Sequence, residues 1–299
     1  MSGKICKLGI GVILALVLSL VIVVVSYSAV GVTSQVRTGG VPLSDYDLSA
    51  VPQSVVEDAT RLATELFGDY QEKCDDFVSQ LLAMYSKVED KDFVVIFNPG
   101  GSGYKSIEAT PGWCSIFDGI ESELAGLGYT SLFLEHLRAD ESWLGCLAEF
   151  VERITGYPSK AKDLACRVEF ITTHVPDLRV IVAGESTGTV ICDRAMNILE
   201  DNPQVYSIQT GPPFWHANMV LDKTLLLTNN GIIPDSYSQG DFWAIAWGNL
   251  KYRLRLSQPE DAFGTTPHYV GAPGHDYWWQ YPEVCSQITN FLDESFGLK

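Results

Sequence analysis

Positive charge is scarce in this chain: 20 Lys and Arg face 37 Asp and Glu, a formal net charge of −17 over 299 residues. That balance excludes nucleic acid as a partner, because no basic stripe exists to neutralise phosphates. It also argues that the bulk of the chain does not adhere to anionic lipid by charge. No Walker-type phosphate loop and no G-x-G-x-x-G opening a helix occurs, and no Cys or His pair has metal-ligand spacing. No metal and no cofactor is therefore expected. There is no N-x-S/T sequon, no internal repeat and no low-complexity segment. Of seven cysteines, Cys6 precedes the first apolar run and six follow it, widely spaced; an even count permits disulfides without indicating a pairing.

One long apolar run is present. Leu8–Val25 holds eighteen uncharged residues, preceded by Lys4 and Lys7. Its length nearly spans a bilayer core, and the flanking lysines favour a cytoplasmic N-terminus. Residues 1–29 are expected to be an uncleaved transmembrane anchor or a signal peptide cut near Ser26–Ser28. Either reading puts the remainder outside the cytosol, as a membrane-bound or a secreted protein. Residues 30–51 read as a Gly/Ser/Thr-rich linker, and 52–91 as a helical extension of two helices divided near Gly68–Asp69, lying outside the main domain.

From Asp92 strands and helices alternate. Strands are predicted at Asp92–Asn98, Ser131–Glu135, Val180–Ala183, Val205–Gln209, Lys223–Thr228 and His268–Val270. Helices are predicted at Trp113–Leu127, Glu141–Ile154, Lys160–Val175, from Thr187, and at Glu283–Phe296. The fold class is α/β, a mainly parallel sheet flanked by helices, in one domain over 92–299.

Residues Val180–Ala183 are continuously apolar, and Gly184-Glu-Ser-Thr-Gly188 follows at the entry to an amphipathic helix. Small residues on both sides allow a turn tight enough to lift the Ser186 hydroxyl clear of the sheet, beside unpaired helix N–H groups. A close-packed turn of small residues is the alternative use of the same text. A serine needs a base, and among five histidines His275 stands in a glycine-rich loop before the final helix. His136, His174, His216 and His268 read as structural or exposed.

The chain from Asp92 onward resembles the α/β-hydrolase fold family. The resemblance rests on Gly184-Glu-Ser-Thr-Gly188, on Phe97-Asn-Pro-Gly-Gly-Ser-Gly103 after an early strand, and on Gly274-His275-Asp276. It implies Ser186 as nucleophile, His275 as base, and an oxyanion hole from the Thr187 N–H with Gly100 or Gly101. It also implies an acid after the penultimate strand, where this chain has Asn230 instead. Asp235 is the first candidate for that acid, Asp241 the second, and Asn230 remains open. Asp276 is expected to point away from the ring beside it, and Glu185 to line the turn.

Trp215, Trp243, Trp247, Trp278 and Trp279, with Phe214 and Phe242, surround this region. More of them are expected in core packing than in a pocket; any that face the site favour an apolar acyl or lipid-like ester. The expected activity is cleavage of an ester-type acyl bond. A peptidase, a thioesterase or a non-catalytic binding protein on the same scaffold are the alternatives.

Overall fold

A computed structural model describes residues 34–39, 41–43, 51–139, 143–219, 221–254, 256, 263–265 and 271–297. In chain order the elements are β1 (Gln35–Thr38), β2 (Val41–Pro42), α1 (Gln53–Phe67), α2 (Gln71–Val88), β3 (Phe93–Asn98), α3 (Pro111–Gly126), β4 (Ser131–Leu137), α4 (Trp143–Thr155), α5 (Pro158–His174), β5 (Arg179–Glu185), α6 (Thr187–Ile198), β6 (Val205–Thr210), β7 (Thr224–Leu227), α7 (Ser236–Gln239), α8 (Phe242–Arg253), β8 (Phe263–Thr265), β9 (Gly271–Pro273) and α9 (Pro282–Phe296).

Seven strands form one sheet in the order β2-β1-β4-β3-β5-β6-β7. The five from β4 to β7 are mutually parallel, as the alternation of strands and helices predicts. The β1–β2 hairpin extends the β4 edge in antiparallel fashion. Within 30–51, read as a linker, Gln35–Thr38 and Val41–Pro42 are thus strands. Val36 is buried in β1, its N–H donates to Gln80 Oε1, and Arg37 pairs with Glu135 of β4. A short β-branched stretch beside an open strand edge gains backbone pairing that composition does not reveal.

Both sheet faces are covered. Phe93, Val95 and Phe97 share one cluster with Trp113 and Ile120 of α3 and Ile288 and Leu292 of α9. Val94 and Ile96 join the opposite cluster with residues of α1, α2, α5 and α6, including Ala59, Phe77, Met84, Leu164 and Val190. The period-2 alternation of an all-apolar strand thus supplies both layers. The helices at 53–67 and 71–88 share that core with the sheet and form part of its covering layer.

From β3 the chain crosses to β4 on one side, and β5 returns to pair β3 on the other. The crevice between the carboxyl ends of β3 and β5 is therefore a topological switch point, where open α/β sheets leave room for ligands. The glycine loop follows β3 there and Ser186 follows β5. Among the described residues no helix is long and apolar enough to cross a membrane. The apolar run 8–25 lies outside the described residues, as do His268 and the strand expected at 268–270. The last strand before His275 is β9, which pairs with β8 in a separate two-stranded ribbon.

Candidate active site

Ser186 follows β5 and caps α6 at φ +50°, ψ −122°, a positive-φ backbone that a residue with a side chain adopts only under constraint. The constraint is visible on both sides. Ser186 N–H donates to the Thr210 carbonyl at 2.9 Å, while its own carbonyl accepts from Thr189 N–H and Thr189 Oγ1. At Gly188, a Cβ atom would come within 2.1 Å of the Asn98 carbonyl, so only glycine lets α6 approach the end of β3. As the first helical residue, Thr187 has no intrahelical acceptor for its N–H.

His275 sits over the next turn of the same edge. A Cβ on Gly211, at φ +61°, would lie 2.7 Å from His275 Cε1, so the ring rests on the residue that follows Thr210. His275 Nδ1 and Asp235 Oδ2 are 2.9 Å apart. An ionised carboxylate only accepts, so Nδ1 carries the proton and Nε2 of the neutral ring is left as a base.

Asp235 is fully buried and saturated with donors. Oδ1 accepts from the Tyr237 and Ser238 N–H groups at 2.9 and 3.1 Å, and Oδ2 from Ser238 Oγ and Tyr277 Oη at 2.8 Å each, besides His275. Burial alone would push this carboxyl up. The His275 contact and the Ser238 donors outweigh burial and hold it below the ordinary value. The same burial, beside the Asp235 charge, raises the Tyr277 hydroxyl well above its usual range.

The other two acid candidates do different work. Asp241 caps α8, accepting from Ala244 N–H at 2.9 Å, and does not hold the imidazole. Asn230 is buried; its Oδ1 accepts from Ile232 and Ile233 N–H, and its Nδ2 donates to the Asp276 carbonyl at 2.9 Å. It thereby braces the backbone beside His275. The Asp276 carboxylate turns to Trp278 Nε1 and Tyr281 Oη, away from the imidazole as expected. A carboxylate neighbour is not what singles out His275, since His136, His174 and His216 pair with Asp163, Asp58 and Asp193. Its position over Gly211, beside the strand end that holds Ser186, is.

The glycine loop reaches the serine: a Cβ on Gly100 would stand 3.1 Å from Ser186 Cβ. Gly100 N–H meets the Glu185 carboxyl, which burial pushes up despite His275 nearby. Gly101, at φ +61°, turns its carbonyl inward, where it accepts from Thr187 Oγ1 at 2.9 Å, Arg138 Nη2 at 2.9 Å and Arg153 Nη2 at 3.0 Å. Arg138 is buried. It also donates to the Pro99 carbonyl, to Thr187 Oγ1 at 3.0 Å and, through Nε, to Glu149 at 2.9 Å; Tyr157 Oη donates to the same Glu149 oxygen at 2.8 Å. No motif points to Arg138, Tyr277, Ser238 or Gly211; the apolar neighbours of Arg138 in sequence give no hint of a buried guanidinium.

The aromatic residues divide. Trp279 lies flat against Gly119 of α3 in the core layer. The Tyr237 ring lies tilted 4.8 Å from His275, Phe214 stands 6.0 Å from Tyr237, and Phe242 5.0 Å from Phe214, a row leading outward from the imidazole. Trp243 and Trp247 are exposed, so they serve neither the core nor an enclosed pocket. Among the described residues Cys74, Cys114, Cys166, Cys192 and Cys285 are free thiols, and no group of side chains there is arranged to hold a metal ion.

No protein-family model and no curated protein matches the chain. Among solved structures, the chain is similar to Trichoderma reesei cutinase in complex with a C11Y4 phosphonate inhibitor, at 14% identity and a TM-score of 0.36, over 64% of this chain and 82% of that one.

Proposed function

We propose that this chain is a serine hydrolase of the α/β-hydrolase type that cleaves ester-type acyl bonds. The observation that carries the reading is the buried Asp235–His275 pair resting on Gly211, one residue from the carbonyl that fixes the strained Ser186. In this reading Nε2 of His275 takes the Ser186 proton as Oγ attacks the acyl carbon. The imidazolium then protonates the leaving alkoxide, and water repeats the cycle on the acyl-enzyme. Asp235 keeps the imidazole in the Nδ1–H tautomer and stabilises its positive charge, a role Asn230 cannot fill. The oxyanion forms beside the Thr187 N–H, and the Gly100 N–H, given to the Glu185 carboxyl at rest, turns to it as the second donor; one aligned donor contributes about 3 kcal/mol to transition-state stabilisation. The aromatic row from Tyr237 to Phe242 favours an apolar acyl or alkyl group over a peptide. Residues 8–25 support a location outside the cytosol, membrane-anchored or secreted.

A fluorophosphonate that labels the wild type but neither Ser186→Ala nor His275→Ala supports the hydrolase. An unlabelled wild type moves the chain to the non-catalytic class. A thioesterase or peptidase would label equally and would separate in kcat/KM across matched ester, thioester and amide substrates.

A further inference from the structure

Helix α8, Phe242–Arg253, carries Phe242, Trp243, Ile245, Trp247, Leu250 and Tyr252, yet among its residues only Gly248 is buried. Trp243 is 85% exposed, Tyr252 69%, Phe242 62% and Trp247 58%, and Leu250, Leu254 and Leu256 continue the patch. An apolar surface of this kind marks a contact that the isolated molecule does not make. Its charge identifies the contact. The basic residues gather at the C-terminal end of α8, with Lys251, Arg253 and Arg255 and no acid between Phe242 and Gln258, while the acids on either side are Asp241 at the opposite end of the helix and Glu260 and Asp261 beyond it in sequence. Neither α7 nor β9, the elements packed on α8, brings an acid to it. The basic C-terminal end of this exposed aromatic helix therefore complements an anionic surface and opposes the same end of a second copy in a symmetric pair.

We propose that α8 docks flat on an anionic lipid bilayer, with its tryptophans at the headgroup level and Lys251 and Arg253 against lipid phosphates. Tryptophan and tyrosine are the residues that such interfaces retain, and basic apolar helices lie in them rather than across them. About 18 Å of helix is too short to span. The helix is fastened to the catalytic loop: Asn249 donates Nδ2 to the Gly271 carbonyl at 2.8 Å and accepts Gly271 N–H at 2.9 Å, four residues before His275. The row Phe242–Phe214–Tyr237 runs from the docked face to the imidazole. A membrane ester would thus reach the site from the lipid side. That consequence rests on the hydrolase reading, whereas the docking itself does not.

The test uses the full chain with vesicles whose phosphatidylcholine is brominated on its acyl chains, with and without phosphatidylglycerol. No tryptophan precedes Trp113, so quenching does not report on the apolar run 8–25. Quenching is expected with phosphatidylglycerol, should fall with added salt, and should vanish in Trp243→Phe/Trp247→Phe. Each cation near an anionic surface contributes about fivefold, so Lys251→Gln/Arg253→Gln should lower the docked-to-undocked ratio about 25-fold. Quenching that survives removal of both tryptophans overturns the proposal, as does indifference to phosphatidylglycerol. So does a lipid-free dimer that the tryptophan substitutions dissociate. Fluorophosphonate labelling of Ser186 in the same samples separates the two readings. A labelled but unquenched protein sinks the docking alone, and a quenched but unlabelled one sinks the hydrolase alone.

Discussion

Removing Arg138 should cost more in catalysis than in fold, provided its buried partner is removed with it. The guanidinium binds the Pro99 and Gly101 carbonyls and Thr187 Oγ1, so one side chain ties the glycine loop to the first residue of α6. In a trans peptide the carbonyl and the following N–H point in opposite directions. Holding the Pro99 carbonyl toward Arg138 therefore aims the Gly100 N–H at the Glu185–Ser186 side. Arg138→Met alone strands the buried Glu149 carboxylate, at a cost of about 3–5 kcal/mol, a large part of a domain's total stability. Arg138→Met/Glu149→Gln avoids the orphaned charge and leaves Tyr157 an oxygen to bond. This double variant should lose only about 1–2 kcal/mol of stability. Its kcat on a short-chain nitrophenyl ester should fall about a hundredfold with KM nearly unchanged, because a misaimed oxyanion donor is missed only in the transition state. Arg138→Lys, one ammonium in place of a fork, should fall between. Calorimetry and circular dichroism check the fold, and the rate of fluorophosphonate labelling checks the serine. A folded double variant whose kcat stays within about threefold of the wild type refutes the positioning of the loop by Arg138.

The remaining sites separate by what they hold. Asp235→Asn should lower kcat by about 10³–10⁴ through loss of the charge that supports the imidazolium, whereas Asp241→Asn, an equally good helix cap, should leave kcat unchanged. The Asp235 carboxyl lies below its ordinary value when folded. Its contribution to stability is thus complete above about pH 3.9 and is lost as pH falls through the lowered value, so the melting-temperature gap between wild type and Asp235→Asn should close in acid. Glu185 runs the other way. Its carboxyl is raised by burial, so the wild type should lose stability relative to Glu185→Gln as pH climbs from about 4.5; a gap independent of pH would refute the burial of that charge. Gly211→Ala meets both a left-handed backbone and the His275 ring, and should cost about 1–3 kcal/mol in stability together with most of the activity. Wild-type kcat in that variant would detach His275 from Gly211.

Local pattern was enough for the strands and helices from Phe93 to Leu227 and for the closing helix, because a strand buried on both faces reads as an unbroken apolar run and a covering helix as a 3.6-residue stripe; it missed α7, α8, β8 and β9, which have no such stripe or run. It was enough for the turn at Ser186 as well, since few residues fit between Gly184 and Gly188. The strand at Gln35–Thr38 was not legible, because a four-residue edge strand is made by pairing with β4 and has no periodicity of its own. The choice among Asp235, Asp241 and Asn230 was not legible either: all three are turn formers close in sequence, and only the ribbon that carries His275 decides which one the imidazole meets. Arg138 is the extreme case. Its role is the sum of contacts to residues 37 to 49 positions away, and separations of that length are set by tertiary packing alone.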